Sequence, residues 1–292
     1  MSEPRIAFVT APALPHEDED RPLIDSGLAD RAVRGEWVAW DSATVDWRDY
    51  DLVVIRSTWD YHRRLDHFLE WCTRVECDTT LCNPGPAVRW NAHKRYLLDL
   101  ERCGVPVVPT VLVESGEADG LGMILDARGW DDVVIKPAVS AGSFGTTRHR
   151  LDDPDGERAL AALTAQGDAL VQPFLDGVES RGETSLVIVA GTITHAVSKV
   201  PSPGEFRVQP QFGGGERPVE ATTAERELAT RALEAASSIV GPVLYARVDC
   251  VTVDGEPLLM ELELIEPALY LPLGPPAAAV RFVDAVVELA TR

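Results

Sequence analysis

Residues 243–267 read VLYARVDCVTVDGEPLLMELELIEP, and the fold turns on how this stretch is interpreted. Asp254–Gly255 is a two-residue hairpin signal flanked on both sides by apolar and β-branched residues. Side chains alternate across a strand, so Arg247 and Asp249 share one face of the first strand, as Glu261 and Glu263 do on the second. Two like charges side by side repel, and neighbours as apolar as Leu259, Met260, Leu262 and Leu264 sit poorly on a solvated face. A bound cation resolves the conflict. Three carboxylates and a guanidinium converging on one hairpin offer hard oxygen ligands of the kind that hold Mg²⁺ beside substrate phosphates. Glu266, just before Pro267, closes the run.

Composition narrows the classes. The chain has 292 residues, enough for one composite domain or two to three smaller ones, and its 45% apolar content is ordinary for a globular protein. No apolar run is long enough for a bilayer, and MSEPRIAFVT is too short for a secretory leader, so a cytoplasmic protein without a membrane partner is expected. The five cysteines, among them Cys72, Cys77 and Cys82, match neither a zinc site nor a CxxC pair and read as reduced thiols. A net charge of −20 argues against nucleic-acid binding, and it also means that acidic clusters arise here without any function. Of 27 basic residues all but three are arginines, the exceptions being Lys94, Lys136 and Lys199. Where Lys survives in so Arg-rich a chain, the site calls for a compact ammonium.

Strand patterns RIAFVT, EWVAW and DLVVIR, with a helix over RRLDHFLEWCTRV, predict a small parallel sheet. The acidic PHEDEDRP reads as an exposed loop, and NPGP at 83–86 marks a domain boundary. A helix through NAHKRYLLDLER, ended by Gly104, leads to strands VPVVPTVLV and DVVIKPAV with a helix around 118–128 between them, then to ALVQPFL. TSLVIVAGTITHAVSKV is a hairpin turning at Ala190–Gly191, followed by a helix over roughly 223–240, the opening hairpin and a final amphipathic helix.

Three further stretches can carry chemistry. Lys136 ends an apolar strand, and Ser140, Ala141, Gly142, Ser143 and Gly145 after it could wrap an anion, although a small-residue loop alone is more often a turn. In LVQPFLDGVES, Gln172, Pro173, Phe174 and Leu175 could present backbone groups to a planar base, with Glu179 receiving ribose hydroxyls; on this stretch alone a plain strand followed by an exposed loop is the better explanation. Lys199, Arg207 and the Gly213–Gly215 run could hold phosphates and an oxyanion, or form a surface loop.

The order of these elements resembles the ATP-grasp superfamily over essentially the whole chain, closest to its D-alanine–D-alanine ligase, glutathione synthetase and ribosomal-protein glutamate ligase branch. The resemblance implies an α/β (α+β) ATP-grasp fold: an N-terminal small parallel α/β domain at 1–88, a central lid subdomain at 89–175 and a C-terminal subdomain at 176–292, the last two holding ATP between them. It assigns Lys94 and Lys136 to ATP phosphates, Ser140, Gly142 and Ser143 to the lid, Gln172, Pro173, Phe174 and Leu175 to adenine, and Glu179 to ribose. Asp249, Glu261 and Glu263 become the Mg²⁺ ligands, Arg247 a catalytic group that neutralises the transferring phosphate with Lys94 and Lys136, Arg207 with the glycines after it the loop that positions the acyl phosphate, and Lys199 a further nucleotide contact. Glu263 stands where the branch usually has Asn, and Gln209 where Asn is common after the arginine.

The chemistry so implied is ATP-dependent carboxylate–amine ligation through an acyl phosphate, on a small amino-acid-like substrate. Arg56, Ser57, Thr58, Trp59, Asp60 and Tyr61, at the C-terminal edge of a parallel strand, are expected to hold that substrate, together with Gly214. IRSTWDY and LMELELIEPALYL further resemble the subgroup whose enzyme cyclises O-ureido-D-serine to D-cycloserine, an antibiotic-forming step. Intermolecular amino-acid ligation and a non-catalytic nucleotide or Mg²⁺ binder are the alternatives. Homodimers are common in the branch, with no interface legible here. A dinucleotide-binding oxidoreductase is disfavoured, because no GxGxxG follows the first strand.

Overall fold

The computed structural model describes residues 3–14, 17–116, 120–208 and 212–292, without the side chains of residues 179–181. Its first sheet contains β1 (Arg5–Thr10), β2 (Arg34–Ala39), β3 (Leu52–Ser57) and β4 (Thr80–Cys82) in the order β2-β1-β3-β4, parallel throughout. Strand β3 is buried along its whole length, as a parallel strand covered on both faces must be. Helix α1 (Arg21–Ala29) links β1 to β2, and α2 (Leu65–Asp78) links β3 to β4. Helix α2 buries Phe68, Trp71, Cys72 and Val75, one helical stripe, against Trp40 and Trp47.

Two short helices follow, α3 (Gly85–Asn91) and α4 (Tyr96–Arg102). The sequence pattern runs one helix through Lys94; the structure breaks it there, because the Lys94 amide donates to the Ala138 carbonyl (2.7 Å) and leaves the helical ladder. The second sheet holds β5 (Val111–Val113), β6 (Asp132–Pro137), β7 (Thr147–Arg150) and β8 (Ala169–Pro173) in the antiparallel order β5-β8-β6-β7, with α5 (Leu121–Arg128) and α6 (Pro154–Thr164) packed against its core. The strand expected over 105–113 shrinks to β5, since Pro106 and Pro109 cannot donate to a ladder; Val107 makes a lone bridge to Leu259.

After α7 (Asp176–Arg181) comes a five-stranded antiparallel sheet. It comprises β9 (Glu183–Val189), β10 (Thr192–Val200), β11 (Gly215–Val219), β12 (Tyr245–Val253) and β13 (Glu256–Glu263), ordered β11-β10-β9-β12-β13. Both expected hairpin turns are present, with φ of 47° and 71° at Ala190–Gly191 and 50° and 89° at Asp254–Gly255. Helix α8 (Thr223–Val240), opened by a Thr222–Glu225 capping box, packs on β12 and β13, and α9 (Pro276–Ala290) packs on β9, β10 and α1.

The break at 83–86 carries a staple between sheets. Asn83 Nδ2 donates to the carbonyls of Tyr245 (2.9 Å) and Leu264 (2.8 Å), while its Oδ1 accepts from Leu244 N (2.7 Å). The Tyr245 hydroxyl lies 2.6 Å from the Ile55 carbonyl and 3.0 Å from that of Ile265. Among the described residues no helix is long and apolar enough to cross a membrane.

Candidate active site

The β12–β13 register sets Arg247 opposite Glu263 and Asp249 opposite Glu261, so four charged side chains share one face. Their alternates Val248, Cys250, Leu262 and Leu264 are at most 1% exposed, which fixes the register: a one-residue slip would put all the charges into that core. Asp249 is 2% exposed and receives Arg247 Nε and Nη2 (both 2.9 Å), Lys199 Nζ (2.9 Å) and Ser185 Oγ (2.6 Å). Despite burial, those cations hold its carboxyl well below the usual range. Arg247 also pairs with Glu263, and Lys94 with Glu261. Burial, joined by Glu261 and Asp249 and opposed by Arg247, pushes Glu263 up to about 7. Ligand oxygens of Asp249, Glu261 and Glu263 lie within 4.8 Å of one another, a hard donor set that fits Mg²⁺.

These residues form one wall of a cavity of about 530 Å³ lying between the three sheets. Lys136, at the end of β6, is 9% exposed, and among the described residues no carboxylate pairs with it. Burial pushes its ammonium down to about 8. Glu261 and Glu183 offset that cost only in part, since neither forms an ion pair with it. Behind it the loop 140–145 bends through positive φ at Gly142 (58°), Ser143 (59°) and Gly145 (72°), bringing Ser140, Gly142 and Ser143 to the cavity. Phe144 on the same loop meets His62, with ring centroids 5.5 Å apart.

On the opposite side Gln172, Pro173, Phe174 and Leu175 line the cavity with Met260 and Leu262, an apolar slot suited to a flat ring. The Gln172 side-chain amide donates to Thr110 Oγ1 (2.8 Å). Glu179 lies on α7, and its side chain is outside the described residues, as is Gln209. Arg207 reaches the cavity paired with Glu205 (2.7 Å) and stacked on Phe212, and Lys199 reaches it through Asp249 and Glu183.

The expected substrate group divides. Trp59 and Tyr61 line the cavity; Arg56, Ser57, Thr58, Asp60 and Gly214 do not. Arg56 is 1% exposed and committed to Asp20 (2.7 Å) and the Pro267 carbonyl (3.1 Å). Ser57 donates to Thr10 Oγ1, Thr58 is buried, and Asp60 is taken by Trp40 Nε1 (2.9 Å) and Arg64 (2.7 Å). Two residues beyond Gly214, Glu216 lines the cavity instead.

Part of the acidic loop after β1 is not exposed: Asp18 and Asp20 are 5% and 2% accessible, because the buried Arg56 needs their charge. Asp18, Asp20, Glu183, Glu266 and Tyr270 all reach the cavity, and the sequence reading assigned none of them to it. Glu266 alone carried a signal, its place at the end of the opening stretch. Its burial beside Glu263 pushes its carboxyl well above the ordinary value.

Residues 6–83 match the family model described as D-cycloserine synthetase DcsG, N-terminal domain, and residues 106–254 match that of the prokaryotic glutathione synthetase ATP-grasp domain. The cycloserine biosynthesis protein DcsG of Streptomyces lavendulae is 35% identical over 301 residues, covering 97% of this chain and 98% of that protein. Glutathione synthetase of Bradyrhizobium diazoefficiens is 26% identical over 200 residues, covering 68% of this chain and 55% of that one. Among solved structures, D-cycloserine synthetase DcsG matches with a TM-score of 0.90 at 33% identity, covering 98% of this chain and 99% of that one. The D-alanine–D-alanine ligase of Bacillus anthracis, complexed with ATP, matches at 0.71 and 16% identity over 99% of this chain and 98% of that one, a likeness of fold alone.

Proposed function

Since the chain belongs to the ATP-grasp ligase superfamily, we propose that it uses ATP to join the carboxyl group of a small amino acid to a nitrogen of the same molecule, with O-ureido-D-serine as substrate and D-cycloserine as product. The observation that carries this reading furthest is Lys136, a buried ammonium with no ion-pair partner among the described residues, beside a glycine-bent loop, where the phosphates of ATP would add to the negative charge of Glu261 and Glu183.

In this reading a substrate carboxylate oxygen attacks the γ-phosphorus and ADP leaves. The nitrogen bound to the ether oxygen then attacks the acyl phosphate, closing the ring as phosphate departs. The carbamoyl group leaves as ammonia and carbon dioxide with uptake of one water. Lys94 and Lys136 contact the phosphates, Ser140, Gly142 and Ser143 cover them, and residues 172–175 receive the adenine, with Glu179 at the ribose. Asp249, Glu261 and Glu263 would hold Mg²⁺, which neutralises phosphate charge when bound. Arg247 spans Asp249 and Glu263 and faces the transferring group, Lys199 fixes Asp249, and Arg207 flanks the phosphates. Trp59 and Tyr61 wall the amino-acid end. All five cysteines are free, which suits a reducing cytoplasm.

The test is ATP-dependent phosphate release with O-ureido-D-serine, its L isomer, and pairs of amino acids. Release with the D isomer alone, and a product with the mass of cycloserine, is the expected result. Release only with pairs replaces cyclisation by intermolecular ligation.

A further inference from the structure

Glu266 is a buried acid that the ligase reading leaves without a task. Strand alternation points Glu261 and Glu263 into the cavity and would point Ile265 there next. The chain bends instead, and Ile265 (1% exposed) joins the hydrophobic cluster of Val53, Ile55 and Trp71. Glu266 thereby takes the cavity-facing position one residue late. Its backbone is fixed on both sides: Trp59 Nε1 donates to the Glu266 carbonyl (3.3 Å), Arg56 to that of Pro267 (3.1 Å), and Asp20 accepts from Leu269 N (2.8 Å). The residue is 9% exposed, and among the described residues no other group donates to its carboxylate or pairs with it. An acceptor held this firmly, with only its own backbone N–H to accept from, suits a ligand that brings a further N–H.

The position indicates which N–H. The carboxyl to be phosphorylated belongs beside Glu261 and Glu263, so the rest of a small substrate extends along the same wall toward Glu266 and Trp59. Resting on the ligase reading, we propose that Glu266 accepts the proton released when the substrate nitrogen attacks the acyl phosphate. The C–N bond forms, the C–O bond to phosphate breaks with its electron pair leaving on phosphate, and the N–H proton passes to the Glu266 carboxylate.

Glu266→Gln, given O-ureido-D-serine and Mg-ATP, separates the two half-reactions when hydroxylamine is added to trap the acyl phosphate as a hydroxamate. The expected result is cyclised product reduced about 100-fold or more, with hydroxamate formation within roughly threefold of wild type. An unchanged product rate overturns the proposal. So does equal loss of product and hydroxamate in a folded variant, since Glu266 would then serve binding or phosphoryl transfer. If Glu266→Gln does not fold, Glu266→Asp decides in the same assay: it must keep hydroxamate formation while slowing product, and parallel loss overturns the proposal. Wild-type protein that gives neither phosphate nor hydroxamate with this substrate overturns the ligase reading itself, whatever the Glu266 variants do.

Discussion

Lys199 on β10 and Asp249 on β12 meet across the intervening strand β9 at 2.9 Å, with side chains only 4% and 2% exposed. Ser185 of β9 donates to the same carboxylate (2.6 Å), so three neighbouring strands converge on one acid. A carboxylate held from so many directions has its oxygen positions set before anything binds.

Removing that acid takes one of two carboxylates from each of two buried cations, leaving Lys199 with Glu183 and Arg247 with Glu263. Asp249→Asn is expected to cost about 1.5–3 kcal/mol in urea denaturation, because hydrogen bonds to a buried charge are lost. Adding Lys199→Met should recover part of the stability and none of the ATP-dependent turnover, which separates the structural share from the chemical one.

ATP binding should follow the protonation of Lys136. Burial lowers its ammonium to about 8, and only the charged form attracts phosphates, so affinity holds below that pH and falls as pH rises through it. Calorimetry should find ATP bound about tenfold more weakly at about pH 9 than at pH 7, with Lys136→Met weak at both and lacking this dependence. Equal affinity for wild type at the two values would exclude Lys136 as the phosphate contact.

Tyr245→Phe tests the staple. Its hydroxyl serves the carbonyls of Ile55 and Ile265, both buried, and its loss should cost about 1–3 kcal/mol. The ring stays, so the shape of the cavity is kept and the KM for ATP should change little. A large rise in that KM would mean that the clamp also shapes the nucleotide side.

The hairpin at residues 243–267 was legible because type I′ turns and strand alternation are local properties; the turn sets Cys250 opposite Leu259, and a bulge between Asp249 and Cys250, which the sequence does not announce, then brings Asp249 opposite Glu261. Lys136 was legible because compact ammoniums are rare in this chain. Arg56 was not: a guanidinium at the end of a parallel strand resembles a ligand contact, and only tertiary structure shows it facing Asp20. The same buried arginine explains why the acidic loop reads as exposed yet partly is not, since its counter-charge lies 36 residues away in sequence. Glu266 escaped assignment because the bend at Ile265 breaks the alternation on which the reading depended.

Strand β13 is an edge strand whose outer rim is never bare. Asn91 brackets it at Leu262 O and Leu264 N (both 2.8 Å), Leu262 N donates to the Tyr96 hydroxyl (3.1 Å), and Leu259 exchanges hydrogen bonds with Pro106 and Val108. The parallel sheet is bolted to the same strand through Asn83 and Tyr245. In the proposed reading the berth for the amino acid therefore has a fixed length, bounded by parts that share one beam. Selection there would work as a gauge, a substrate one methylene too long meeting a wall that does not yield, whereas the proposed nucleotide side is roofed by a separate sheet with its own core.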